Sequence, residues 1–333
     1  MTFANRVARA GAASIAAILA AGSVSAADMK IGFVTINDSQ HAAATAFTAE
    51  ISKRTNGAIT GKIFPTAQLG TIPRQIEGVL FGTQEAFISP PGFFIGLNKA
   101  FQAADAPALF TSLDHQANTL NHPTVREKFL NLAAAKGVKG IAVWSAGSGA
   151  FAMRDPIRKL ADLKGLKVRV LASPMERAMM DALGVAGTPM NYSEVLPAIQ
   201  RRVIDGARSA IVVMGPSKFY TAAPNITLEG GSYIPSVFWV SVKWFEKLPK
   251  DQQEAVLSLG KEITPVAQRA GVEITALWEK KWAEEGGKVL RFSDAEQKQL
   301  MDIYRPLGDK ILGADPAIKP MYDLIKAAAK ATM

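Results

Sequence analysis

"MKIGFVTINDSQHAAATAFTAEISKRTNGAITGKIFP" (29–65) is the stretch on which the fold class turns. Its opening, "MKIGFVTI" (29–36), is an apolar run of strand length and reads as a buried strand. "HAAATAFTAEISKRTNG" (41–57) then places Ala44, Phe47 and Ile51 on one helical face, with Gly57 as its stop. "AITGKIFP" (58–65) is a second strand. "IPRQIEGVLFG" (72–82) adds a short helix with Pro73 near its start, and "EAFISPPGFF" (85–94) a third strand ended by Pro90 and Pro91. Strands separated by helices in this order predict a parallel sheet with crossover helices.

Outward from this unit the alternation repeats. "HPTVREKFLNLAAAKG" (122–137) reads as a helix, and "VKGIAVWSAG" (138–147) as a strand running into small residues. In "LKGLKVRVLASP" (163–174), Leu166, Val168 and Val170 alternate with Lys167 and Arg169, the period of a strand with one buried face. Arg169 falls on the other face, near the strand's C-terminal end. A helix with Ser173 as N-cap spans 173–184, another capped by Ser193 lies within 188–202, and "VIDGARSAIVVM" (203–214) enters a further strand. The last third is more helical. The segment 249–287 carries a long helical pattern in which Gly260 and Pro265 are expected to kink or divide the helix. A short strand (288–292), a capping box at Ser293 and Glu296, and a final helix from Pro320 to about Ala331 complete the chain.

The first 26 residues stand apart. A basic start with Arg6 and Arg9, an apolar run from Ala12 to Ala21, and small residues at Val24-Ser25-Ala26 read as a secretory signal cleaved after about Ala26. The run is short for a membrane anchor. The chain has a formal net charge of +9, of which the two leader arginines supply two. Lys and Arg are spread rather than clustered, which favours a small anion over nucleic acid. Cysteine is absent, so thiol catalysis and thiolate metal sites are excluded. His41, His115 and His122 have no metal-ligand spacing. No phosphate-binding glycine motif, nucleophile elbow or acid–base constellation stands out. The expectation is therefore no catalytic residue, no metal and no cofactor.

Three segments carry a resemblance. "KRTNGAITGKIFPTAQLGT" (53–71), the run from "ADLKGLKVRV" to "ALGVAGTPMNYSEVLPAIQRRVIDG" (161–206) and "FEKLPKDQQEAV" (245–256) resemble the solute-binding subunits of tripartite ATP-independent periplasmic (TRAP) transporters. The resemblance implies an α/β, two-lobe periplasmic binding protein with an interlobe cleft, crossing strands and a long helix packing on both lobes. It implies a first lobe of 27–146 plus about 235–274 and a second of 147–234 plus about 275–333. It also implies a monomer in the periplasm that captures a small organic acid and delivers it to ion-gradient-driven TRAP membrane permease subunits. A receptor for a different importer or sensor is the nearest alternative, and a periplasmic enzyme a more distant one.

Arg169 matches the family's ligand-binding arginine, whose planar, permanently charged fork suits a carboxylate. Two departures bear on the rest of the site. Where sialic-acid-binding members carry a second arginine this chain has Ser148, and where they carry a glutamate after "DG-x" it has Arg208. The expectation is that Arg208 supplies a second positive group, against the alternative of a surface ion pair. Ser209, Asn191 and Tyr192 lie at or beside matched cleft positions. Ser89, Pro90 and Phe93 form the loop after the third strand, and Trp239, with Phe151, is a candidate for aromatic wall.

Overall fold

The computed structural model describes residues 27–333, so the expected leader and its cleavage point lie outside the described residues. Nine strands share one sheet: β1 (Ala27–Gly32), β2 (Ile59–Phe64), β3 (Ala86–Ser89), β4 (Val138–Met153), β5 (Lys167–Val170), β6 (Ala186–Pro189), β7 (Gly206–Ala210), β8 (Asn225–Ser241) and β9 (Lys288–Arg291). The order is β2-β1-β3-β8-β4-β7-β5-β6, with β9 added to β8. β1 pairs β2 and β3 in parallel, and β5 pairs β6 and β7 in parallel, as the crossover reading predicts. The sheet as a whole is mixed, because β4 and β8 insert between the two parallel sets and run antiparallel to each other, to β7 and to β3, while β9 joins β8 in parallel.

These two long strands join the lobes. The later half of β8 pairs β3 of the first lobe, whereas Asn225–Leu228 pair β4 and β9 in the second. Three register shifts along the β4–β8 ladder, between Gly140 and Ala142, Ser145 and Gly147, and Ser148 and Ala150, bend the pair where it crosses. The strand read as ending at Gly147 therefore continues to Met153; its small residues serve close packing between strands rather than a loop. Conversely, β1 stops at Gly32. Asn37 adopts a left-handed φ of 51°, and Asp38 caps the helix Ser39–Arg54 by accepting from the backbone N–H groups of Gln40 and His41. That turn feeds the cleft.

One core cluster spans both lobes, joining Phe87, Phe101 and Trp239 of the first to Phe151, Val168 and Met179 of the second, and two others are confined to one lobe each. Met29, Ile31, Phe47, Phe238 and Ile263 belong to one cluster under the first lobe. Ile199, Ile226, Phe219 and Trp282 belong to another under the second. Helix Lys250–Glu284 is continuous over 35 residues and contributes to both. Pro265 does not divide it, because the proline sits on the exposed face, where water hydrates the carbonyl its missing N–H leaves free. Nor does Gly260 mark a break. It allows the helix to lie on β4: a Cβ there would sit 2.6 Å from the Ile141 carbonyl oxygen. Gly260→Ala gains up to about 1 kcal/mol of helix propensity but incurs roughly 1–3 kcal/mol of overpacking against backbone. The expected result is a net loss of stability, read as a lower urea midpoint.

Residues 275–333 were expected to sit wholly with the second lobe. Helix Asp294–Leu307 does approach it, with Glu296 accepting from the Leu160 N–H at 2.6 Å. The last helix, Lys319–Ala331, instead packs on Lys99–Asp105 and Leu113–Leu120 on the first-lobe side. His115 Nε2 lies 2.8 Å from the Ala329 carbonyl and Thr119 Oγ1 lies 2.9 Å from Thr332 Oγ1. Among the described residues no helix is long and apolar enough to cross a membrane, and no group of acidic or imidazole side chains is arranged to hold a metal.

Candidate functional site

Parallel strands leave their crevice at their carboxyl ends, where the chain departs to opposite faces. Here a narrow cavity of about 40 Å³ lies at those ends. Val34, Thr35 and Gln40 reach it from the turn after β1, and Ser89, Pro90 and Phe93 from the end of β3. From the second lobe come Arg169 and Leu171 at the end of β5, Tyr192 just after β6, and Ser209 and Ala210 at the end of β7. Ala146, Ile234 and Ser236 of the crossing strands form its back. Both lobes and both connecting strands thus contribute, as an interlobe cleft requires.

Among the described residues, Arg169 is the only charged one lining the cavity. It is 2% exposed, on a strand bonded on both sides, with Thr188 and Ala207 as register partners. Its Nε donates to the Met190 carbonyl at 3.3 Å, its one hydrogen bond among the described residues. The guanidinium carbon stands 5.8 Å from the centroid of the Tyr192 ring, within cation–π range. Burial pulls the Arg169 pKa below its ordinary value, with smaller opposing contributions from Tyr192 and Glu176. A carboxylate against the free edge of the fork would offset that penalty. Tyr192 is held in turn: its hydroxyl donates to the Val213 carbonyl at 3.0 Å and bonds Ser217 Oγ at 2.8 Å, and its ring stacks on Phe219. Burial pushes the Tyr192 phenol pKa up, which keeps it neutral.

Of the residues singled out from sequence, Arg169, Tyr192, Ser209, Ser89, Pro90 and Phe93 line this cavity together. Five do not. Trp239 is fully buried in the first lobe, 4.3 Å from Phe94 and 5.1 Å from Phe101 between ring centroids, with its indole N–H on the Ser89 carbonyl; Phe151 is likewise core. Ser148 lies further along β4, its Oγ 3.5 Å from the Ser232 carbonyl. Asn191 is the N-cap position of the helix Tyr192–Gln200, in place of the expected Ser193, and its side chain reaches Glu194 on an outer groove.

The fifth, Arg208, is a correction to both of its sequence readings. It neither enters the cleft nor turns to the surface. Adjacent strand residues face opposite sides, and on β7 Ser209 takes the cleft side. Arg208 is fully buried, donating through Nε and Nη2 to both oxygens of Glu229 at 2.7 and 3.0 Å, through Nη1 to Glu176, and through Nη2 to Ser232 Oγ at 2.7 Å. Ser173, the expected N-cap of helix Pro174–Ala182, makes no capping bond and donates instead to Asp105 Oδ2 at 3.0 Å. This bond ties a first-lobe segment to the Arg208 cluster.

Burial, and then the charge of Glu176, push the Asp105 carboxyl up to about 7, against the Ser173 hydrogen bond and the charge of Arg208. A carboxyl raised in the folded state holds a proton that the unfolded chain has released. Its contribution is therefore intact below the ordinary value near 3.8 and is lost as pH rises through about 7. Asp105→Asn is expected to raise the urea midpoint at pH 8, leave it unchanged at pH 4, and flatten the slope between. An equal shift at both pH values would contradict this.

Sequence reading missed Thr35, Gln40 and Ser236, which are buried at the cavity. Among the described residues Thr35 Oγ1, Gln40 Oε1 and Ser236 Oγ have no hydrogen-bond partner. The usable signal was position: "NDSQH" (37–41) follows the first parallel strand directly.

Comparison with known proteins agrees with this geometry. The family model described as bacterial extracellular solute-binding protein, family 7, matches residues 32–314. A 2,3-diketo-L-gulonate-binding periplasmic protein of Escherichia coli K12 is 30% identical over 316 residues, 90% of this chain and 93% of the relative. A sugar acid binding protein of Advenella mimigardefordensis, solved with galactonate, superposes with a TM-score of 0.86 at 25% identity, covering 92% and 99% of the two chains. A TRAP periplasmic solute-binding protein of Xanthobacter autotrophicus, solved with β-D-galacturonate, gives 0.82 at 29% identity, covering 90% and 99%.

Proposed function

The chain belongs to the bacterial extracellular solute-binding proteins of family 7, and from that premise we propose that Arg169 is the group by which it seizes its ligand, gripping the carboxylate of a small organic acid between two lobes. The protein is the periplasmic solute-binding subunit of a TRAP transporter, a class that binds and delivers solutes rather than converting them. Relatives of this chain carry diketogulonate, galactonate and galacturonate, all organic acids. The observation that carries the residue assignment is the guanidinium itself: a buried cation with one hydrogen bond, mounted at a strand end on the wall of an interlobe cavity.

The remaining parts of the reading follow from it. The leader 1–26 directs export and is removed after about Ala26. The mature chain works as a monomer, with lobes of 27–146 plus 235–274 and 147–234 plus 275–318, the last helix riding on the first. Tyr192, Ser209, Ser89, Pro90 and Phe93 shape the pocket, and the loaded form docks on the membrane permease. A thermal-shift screen against mono- and dicarboxylates tests this. An acid at 100 times its dissociation constant adds about 2.7 kcal/mol, enough for a clear upward shift. A panel in which no carboxylate raises the melting temperature, while neutral sugars or amines do, would overturn it.

A further inference from the structure

We infer that the ligand is a monocarboxylate with a largely apolar body and one or two oxygen substituents, not a dicarboxylate and not a polyhydroxy acid. This rests on the assignment of Arg169 as the carboxylate clamp. Among the described residues the cavity offers one cation and no second one, since Arg208 is spent on Glu229 and Glu176. A second carboxylate would therefore be desolvated without a partner, a heavy penalty for an unpaired buried charge.

The walls exclude polyhydroxy acids on separate grounds. Ile72, Phe93, Leu171, Val213 and Ile234, with the proline face of Pro90, account for most of the surface away from Arg169. Each sugar hydroxyl laid against such a wall exchanges water for no partner. One or two polar substituents are nevertheless provided for. Among the described residues Thr35 Oγ1, Gln40 Oε1 and Ser236 Oγ are buried at the cavity without hydrogen-bond partners. Ser89 and Ser209 line the same cavity. The fork binds the acid, the Gln40 and Ser236 pair binds one oxygen near it, and the aliphatic walls bind the rest.

Calorimetry on the mature chain with α-hydroxyisocaproate, succinate and galacturonate is the test, repeated with Arg169→Ala. The expected result is binding of α-hydroxyisocaproate at least 100-fold tighter than either of the others. In Gln40→Leu and Ser236→Ala that preference should narrow toward isocaproate, which lacks the hydroxyl. Succinate or galacturonate binding as tightly as α-hydroxyisocaproate overturns the ligand class and leaves the clamp standing, provided Arg169→Ala removes that binding. Failure of all three to bind overturns the class as well. Binding that persists in Arg169→Ala instead strikes the clamp.

Discussion

Arg169→Ala is expected to reduce affinity for the organic acid by a factor on the order of 10³ or more, to below detection in most assays. Two parallel charge-assisted hydrogen bonds are worth roughly 1.5–3 kcal/mol each, and the truncation leaves the carboxylate desolvated with no replacement cation, since no other charged residue among those described lines the cavity. The unliganded chain should be no less stable. Arg169 makes one hydrogen bond at 3.3 Å and its charge is opposed by burial, so removing it relieves a desolvated cation while deleting little. A residue whose loss abolishes binding yet spares or raises the unliganded melting temperature is a binding residue and not a structural one. Arg169→Lys separates charge from geometry. Lysine keeps the cation but loses the fork, and a loss of roughly 10²-fold is expected. Calorimetry showing the lysine variant within a few-fold of the parent would mean the carboxylate is held by charge alone.

The general architecture was legible because it rests on local signals that tertiary packing reinforces. Ala44, Phe47 and Ile51 share a helical face because they do pack into the first-lobe core. The alternation around Arg169 is the pleat of a strand that is paired on both sides. What was not legible depended on partners distant in sequence. The strand 138–147 reads as running out into small residues, but the glycines there let β4 pass closely between neighbours and continue: a Cβ at Gly147 would lie 2.6 Å from that of Ala210. Gly260 reads as a helix break for the same reason, its true partner being Ile141 on another element. In the site, Arg169 could be placed through its match to a family motif, since its residue type alone fits a solvated strand-edge charge as well. Gln40, Thr35 and Ser236 announce no chemistry by type, and only the convergence of strand ends brings them to one cavity. Arg208 shows the converse error. Its chemistry was readable and its direction was not, because the carboxylates that claim it come from positions 176 and 229.

Arg208→Met is expected to be the most destabilising single change, by roughly 3–5 kcal/mol, the usual result of removing one side of a buried ion pair. That is a fall in melting temperature of roughly 5–8 °C for a folded chain of about 300 residues. The cluster contains one cation paired with Glu176 and Glu229, and its charge also acts on Asp105. Burial raises the Glu229 pKa and Arg208 opposes that rise, so without the arginine Glu229 joins Asp105 in holding a proton when folded. The folded state then binds protons that the unfolded chain releases, and stability falls as pH increases across the neutral range. The defect should therefore be larger at pH 8 than at pH 5, and Arg208→Met combined with Glu229→Leu should recover part of it, since the orphaned carboxylate is the source of the cost. Affinity for the acid, measured well below the lowered melting temperature, should stay within a few-fold of the parent because the side chain does not reach the cavity. A variant that kept its melting temperature but lost its ligand would return Arg208 to the binding site, with the Glu176 and Glu229 contacts then belonging to a form of the protein other than the one that binds.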